Sequence, residues 1–192
     1  MRVLKHVLAL TVLAAAPLAA QRQRPLQTFG PAEWTMVPQY RTVQRAALDA
    51  QKKLLLAMAD SMPENQYRDK VTAPQRDFAQ QLHHVVSSNV FIASYYIAGA
   101  GDPQPPASDT AAIWNSRAGL KAYINASYDY LGGLLDRTSD ADRNIVVGFF
   151  GGQRMPRWQV WDELNQHAMW TLGQTVANFR KQGMAPPSFL FF

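Results

Sequence analysis

The chain contains no cysteine among its 192 residues. That absence excludes disulfides, thiolate nucleophiles and cysteine-ligated zinc, so stability rests on core packing alone. It also lacks a strong excess of one charge. Nineteen Lys and Arg stand against fourteen Asp and Glu, a formal net charge of +5. Arg2 and Lys5 supply two of those charges at the extreme N-terminus, which leaves +3 for the rest. No basic run forms a stripe, so nucleic acid is not an expected partner. There is no glycine-rich loop followed by lysine, and hence no phosphate loop. No serine sits on a strand-to-helix elbow, so a Ser-His-Asp triad of that kind is not indicated. Internal repeats and low-complexity tracts are missing as well.

What is present is an aromatic-rich chain of ordinary hydrophobic content, 47%, with five Trp and seven Tyr. Its length fits one domain, or one domain plus a processed leader. Arg2 and Lys5 precede an apolar run from Val7 to Ala16, and Pro17-Leu18-Ala19-Ala20 forms a small-residue exit before Gln21. Residues 1–20 therefore read as a secretory signal peptide, and the apolar run is short for a membrane span. No cysteine follows it, so the expectation is an exported protein, periplasmic or secreted, and not a lipoprotein. Residues 21–37 read as a flexible, proline-punctuated lead-in, and 38–192 as the folded domain.

Apolar periodicity predicts four helices within that domain. The first runs from Pro38 to Asp60 with Val43, Ala46, Ala47, Ala50, Leu54, Ala57 and Met58 as its stripe, and Pro63 ends it. The second opens near Pro74, with Phe78, Leu82, Val85, Val86, Ala93, Tyr96 and Ile97 inward and Gly99 and Gly101 as its stop. The third opens at Ser108 or Asp109 and carries Ile113, Leu120, Ile124, Ser127, Leu131, Leu134 and Leu135. Gly132-Gly133 weakens its last turns. The glycine-bounded run Ile145 to Gly152 suggests a short extended segment or hairpin arm. Pro156 then opens the fourth helix, which ends at Gly183. The fold class is all-α, a four-helix bundle.

On the fourth helix Glu163, His167, Thr171 and Gln174 line one polar ridge, beside the stripe of Trp161, Leu164, Ala168, Leu172, Val176 and Phe179. Such a ridge suits a ligand or metal pocket, and it equally suits a solvated flank. His83 and His84 are adjacent on the second helix, and periodicity does not choose between them. Asn89 falls mid-stripe there, so it is either structural glue or part of a site. Gly173 reads as a close-packing position. Trp158, Trp161 and Trp170 read as core or interface residues. Ser127, Tyr128 and Asp129 are helix neighbours pointing in different directions.

Four places in the chain together resemble the DinB-like superfamily, metal-binding four-helix bundles that include bacillithiol- and mycothiol-dependent transferases. They are Met62-Pro63-Glu64 with Tyr67, Phe78 through His84 to Asn89, Ala126 to Leu131, and Gly173-Gln174 with Arg180, Gly183 and Pro186-Pro187. The likeness spans about Arg41 to Ser188. It implies a metal site with one histidine from the second helix, matched by His84, and a His-x-x-x-His pair on the fourth. His167 matches the first of that pair, but Thr171 stands where the second belongs. The implied ligands are His84 and His167, with Thr171 holding a water or Glu163 completing the set around one divalent Zn, Ni or Fe. Two imidazoles alone bind such metals weakly. Asn89 and Gln174 would line the pocket. The expectation is an exported binder of a small molecule or partner with a degenerate pocket. The alternative is a divalent-metal-dependent thiol S-transferase or hydrolase. The family resemblance also implies a homodimer.

Overall fold

The computed structural model describes residues 28–31 and 39–188. The leader, most of the lead-in and the last four residues lie outside them. In chain order the elements are β1 (Thr28–Pro31), α1 (Tyr40–Ser61), α2 (Phe78–Tyr96), α3 (Thr110–Asn115) and α4 (Arg117–Arg137). They continue with α5 (Asp140–Arg143), β2 (Ile145–Gly148), β3 (Arg154–Pro156) and α6 (Arg157–Lys181). The four long helices, α1, α2, α4 and α6, form the expected bundle. α2 packs on both α6 and α4, and α1 covers α4 and α6. Among the described residues, no helix is long and apolar enough to cross a membrane.

The lead-in is not wholly the flexible stretch expected. Its residues 28–31 form β1, which pairs antiparallel with β2, Thr28 opposite Val147 and Pro31 opposite Ile145. β2 pairs in turn with β3, Val147 opposite Met155. The expected hairpin arm is therefore real, and it is the middle of a three-stranded sheet. Gly151 and Gly152 turn the hairpin at φ +69° and +76°, a left-handed region that favours glycine.

The buried face of α1 differs from the one periodicity suggested. Val43 is 59% exposed, Ala46 is exposed, and Ala47, Ala50 and Ala57 are only partly covered. The inward positions are Tyr40, Gln44, Leu48, Gln51, Leu54, Leu55, Met58 and Ala59. Two glutamines inside the stripe hide it from a hydrophobicity reading. They sit inside because α6 offers them partners, Asp162 and Asn165.

α2 begins at Phe78, not near Pro74. Its signal is Asp77, whose carboxylate accepts from the Gln80 amide at 2.8 Å while the Gln80 side chain accepts from the Asp77 amide at 3.2 Å. This reciprocal capping satisfies two donors that the first turn cannot. Arg68 holds the buried Asp77 from the other side at 2.7 Å. The expected stripe is buried, Phe78 through Tyr96, with Asn89 inside it.

The third expected helix is two. Asp109 caps α3, accepting from Ala111 and Ala112, and Ser116 breaks the run and caps α4 by accepting from Gly119. Gly119 makes the corner possible, because a Cβ there would lie 2.4 Å from the Ala112 carbonyl oxygen. α4 then runs unbroken through Gly132-Gly133 to Arg137. Arg45 of α1 lies against the bare backbone of Gly132 and donates to its carbonyl at 2.6 Å. Ile113, Leu120, Ile124, Ser127, Leu131, Leu134 and Leu135 are all buried, as the periodicity implies.

On α6, Trp161 is fully buried and Trp158 packs against the core, but Trp170 is 77% exposed. Trp170 is therefore not a core residue. Gly173 is exposed and a Cβ there would meet nothing within 4 Å, so it does not serve close packing.

Candidate functional site

The bundle brings His84 of α2 and His167 of α6 together. Their rings meet edge to face, centroids 5.4 Å apart and planes at 78°. The contact follows from helix packing: α2 and α6 lie side by side, and each histidine flanks its own apolar stripe at that seam. Thr171, one turn along α6, is 2% exposed, and its hydroxyl lies 3.5 Å from His167 Nε2. Gln81 of α2 donates to the Thr171 carbonyl and to the Gln174 side chain, both at 3.2 Å. Gln81 thus ties the polar ridge of α6 to α2. Periodicity offers no signal for it beyond its place one turn before Val85.

Both imidazoles are held neutral. Burial pushes the His84 pKa down, aided by Arg76 and by the neighbouring His167 and His83, to about 4. Burial and then Arg76 lower that of His167. A neutral imidazole suits ligation or hydrogen bonding to a ligand. Ser88 Oγ lies 3.3 Å from His84 Nδ1. His167 Nδ1 is buried and has no hydrogen-bond partner in the structure.

As a metal centre, this donor set is one ligand short. Two imidazoles face each other, a neutral hydroxyl stands in the third place, and a guanidinium acts on both rings. Glu163 lies on the preceding turn of α6. Among the described residues, no group of three or more His, Cys, Asp or Glu could hold an ion.

His84 also borders a cavity of about 520 Å³ on the other side of α2. The loop between α2 and α3 forms its roof through Pro105, Pro106 and Ser108, and Phe91 and Tyr123 contribute apolar walls. His83 faces this cavity as well, so the two adjacent histidines serve different neighbours. His84 meets His167, while His83 packs against Trp114 and Tyr123 with ring centroids 5.8 and 5.4 Å away.

Asn89 belongs to a different feature, a polar ladder through the bundle core that periodicity did not reveal. Asn89 Nδ2 and the Tyr128 hydroxyl both donate to Gln51 Oε1, at 3.2 and 2.9 Å. Gln51 Nε2 donates to Asn165 at 2.7 Å, and Asn165 donates to Gln44. Gln44 Nε2 and the Tyr40 hydroxyl both donate to Asp162 Oδ1, at 2.6 and 2.7 Å. Tyr40 also bonds the Trp158 carbonyl. The ladder joins α1, α2, α4 and α6. Burial raises the Asp162 pKa, while its bonds from Tyr40 and Gln44 pull the other way. Desolvation raises the Tyr40 and Tyr128 hydroxyls as well. Its trace in the sequence is Gln44 and Gln51 seven residues apart on one side of α1, and Asp162 with Asn165 three apart on α6.

Comparison with protein families matches residues 47–175 to the model described as the DinB superfamily. Neither the curated proteins nor the solved structures provide a match.

Proposed function

The chain belongs to the DinB superfamily, and from that premise we propose that it is an exported binder of a small molecule, seated where His84 and His167 meet. The observation that carries this reading is Thr171, buried beside His167 where the family resemblance implies a third imidazole. A threonine there removes a metal ligand and leaves a polar, half-buried niche. His167 Nδ1 offers that niche an unpaired ring nitrogen. Arg76 acts on both rings, which favours an acidic group on the ligand. Gln174 and Gln81 supply further hydrogen bonds at its edge.

Metal content is the decisive measurement. Purified protein is dialysed and analysed beside His167→Ala. The binder reading expects no stoichiometric zinc, nickel or iron in either. Stoichiometric metal in the wild type, lost in the variant, would overturn it in favour of the metal-dependent transferase or hydrolase. A thermal-shift panel of small carboxylates and phosphates then tests the acidic ligand, with stabilisation expected in wild type and lost in Arg76→Gln.

Two further parts of the reading have their own support. The apolar leader with its small-residue exit supports export, and cleavage after about Ala20 is expected in the secreted form by intact mass. Trp170, exposed on α6, supports pairing of two copies through that helix. Light scattering of wild type against Trp170→Ala checks it, and a monomeric wild type would remove it.

A further inference from the structure

We propose that Ser108 and His83 form a nucleophile–base pair that accepts short apolar acyl groups from esters in the cavity beside α2. Ser108 Oγ and His83 Nε2 are 2.7 Å apart, within hydrogen-bond distance, and the Nδ1–H tautomer of His83 makes the serine the donor. Both side chains line the same cavity of about 520 Å³. The pair joins α2 to the loop before α3 and is independent of the His84–His167 contact.

Each partner is held in place. Pro105 and Pro106 restrict two φ angles in the approach to Ser108, which is exposed at the cavity rim. The His83 ring packs against both Trp114 and Tyr123. In serine hydrolases a carboxylate orients the base histidine; here two aromatic rings do so by packing. His83 Nε2 is the ring nitrogen nearest the Ser108 hydroxyl, the position from which a neutral imidazole takes a proton.

The chemistry balances without metal or cosubstrate other than water. Ser108 Oγ attacks the ester carbonyl carbon and gives its proton to His83 Nε2. The tetrahedral adduct collapses, the bond to the leaving oxygen breaks, and His83 returns the proton to that oxygen, releasing an alcohol. Water then attacks the acyl carbon while His83 takes a water proton. The Ser108 ester bond breaks, and the proton passes to Ser108 Oγ as the carboxylic acid leaves. Ser87 and Ser88 line the same cavity, their hydroxyls engaged with the His84 carbonyl and His84 Nδ1. Val90, Phe91, Pro105 and Pro106 make its walls apolar, which selects a short hydrocarbon acyl chain over a charged one.

The test treats the purified full chain, in EDTA, with a fluorophosphonate probe and with p-nitrophenyl butyrate. The expected result is one adduct by intact mass, mapped to Ser108 and absent from Ser108→Ala. His83→Phe, which keeps the ring packing, should slow both labelling and ester cleavage by roughly tenfold or more, with an unchanged melting temperature. Should that variant fail to fold, His83→Gln is read the same way. No adduct, an adduct on Ser87 or Ser88 instead, or Ser108 labelling at an undiminished rate in the His83 variant would each overturn the proposal. A hydrogen bond that only pins the loop gives the first of these outcomes.

Discussion

His84 and His167, from the second and last helices of the bundle, meet edge to face with ring centroids 5.4 Å apart. Thr171, whose hydroxyl lies 3.5 Å from His167, stands where the family resemblance implies a third imidazole beside this pair. Replacing that residue should rebuild what is missing. Thr171→His adds a nitrogen one turn after His167. The larger side chain in a buried position costs about 1–3 kcal/mol of stability. Zinc should then raise the melting temperature of the variant while leaving wild type unmoved. Equal zinc responses in the two proteins would show that Thr171 is not the limiting position.

The same pair makes the fold acid-sensitive. His84 binds its proton less readily folded than unfolded, with a pKa of about 4 against the ordinary 6.5. The unfolded chain therefore takes up protons first as pH falls, and stability is lost from the unfolded pKa down to the folded one. Each pH unit between the two values carries about 1.36 kcal/mol. Solvent screens a half-exposed ring, so the loss between pH 7 and pH 4 should be smaller than that full amount, on the order of 2 kcal/mol. Chemical denaturation across that range checks it, with His84→Asn expected to flatten the slope. An unchanged slope in the variant would move the cause elsewhere.

Asp162 acts in the opposite sense. Burial raises its pKa, so its contribution is fully present below the unfolded carboxyl pKa and lost as pH rises through the folded value. Asp162→Asn keeps an oxygen to accept from Tyr40 and Gln44 without the buried charge. The variant should be at least as stable as wild type at pH 7 and should lose the gain on the acid side. Lower stability at pH 7 would mean that the charge itself strengthens the ladder.

Gln51 is the hub of that ladder, accepting from Asn89 and Tyr128 and donating to Asn165. Gln51→Leu would leave those groups without their shared partner inside the core. A loss of roughly 3 kcal/mol is expected, since each buried unpaired polar group costs about 1–3 kcal/mol. Urea unfolding measures it. A change under about 0.5 kcal/mol would mean that water substitutes freely for the side chain.

Two helical glycines should respond differently to alanine. At Gly119 a Cβ would meet the Ala112 carbonyl oxygen at 2.4 Å, a backbone atom at the α3–α4 corner that cannot step aside cheaply. At Gly132 it would meet the end of the Arg45 side chain at 2.1 Å, which can swing away. Gly132→Ala also gains about 1 kcal/mol of helix propensity, set against the lost Arg45 bond to its carbonyl. Gly119→Ala should therefore destabilise the fold by about 2 kcal/mol or more, and Gly132→Ala should stay within about 1 kcal/mol. Equal melting temperatures for the two variants would contradict the packing at the corner.

The order of residues was enough to specify the four helices, the hairpin before the last of them and the buried stripe of α2 and α4, because apolar residues at helical spacing have few other ways to leave water. It also carried the family likeness, through His84, Asn89, His167 and the Gly183 exit. It misled on the inner face of α1, where Gln44 and Gln51 look like surface residues until α6 supplies Asp162 and Asn165. It hid the break at Ser116, since one apolar period continues through both the short and the long helix. Helix packing separated His83 from His84, sending one to Ser108 and the other to His167. Adjacent helical residues point about 100° apart, so their partners depend on which elements pack on each side. Thr171 shows both limits at once: its place is marked in the sequence, and the packing of α2 on α6 closed its hydroxyl and His167 into one buried seam.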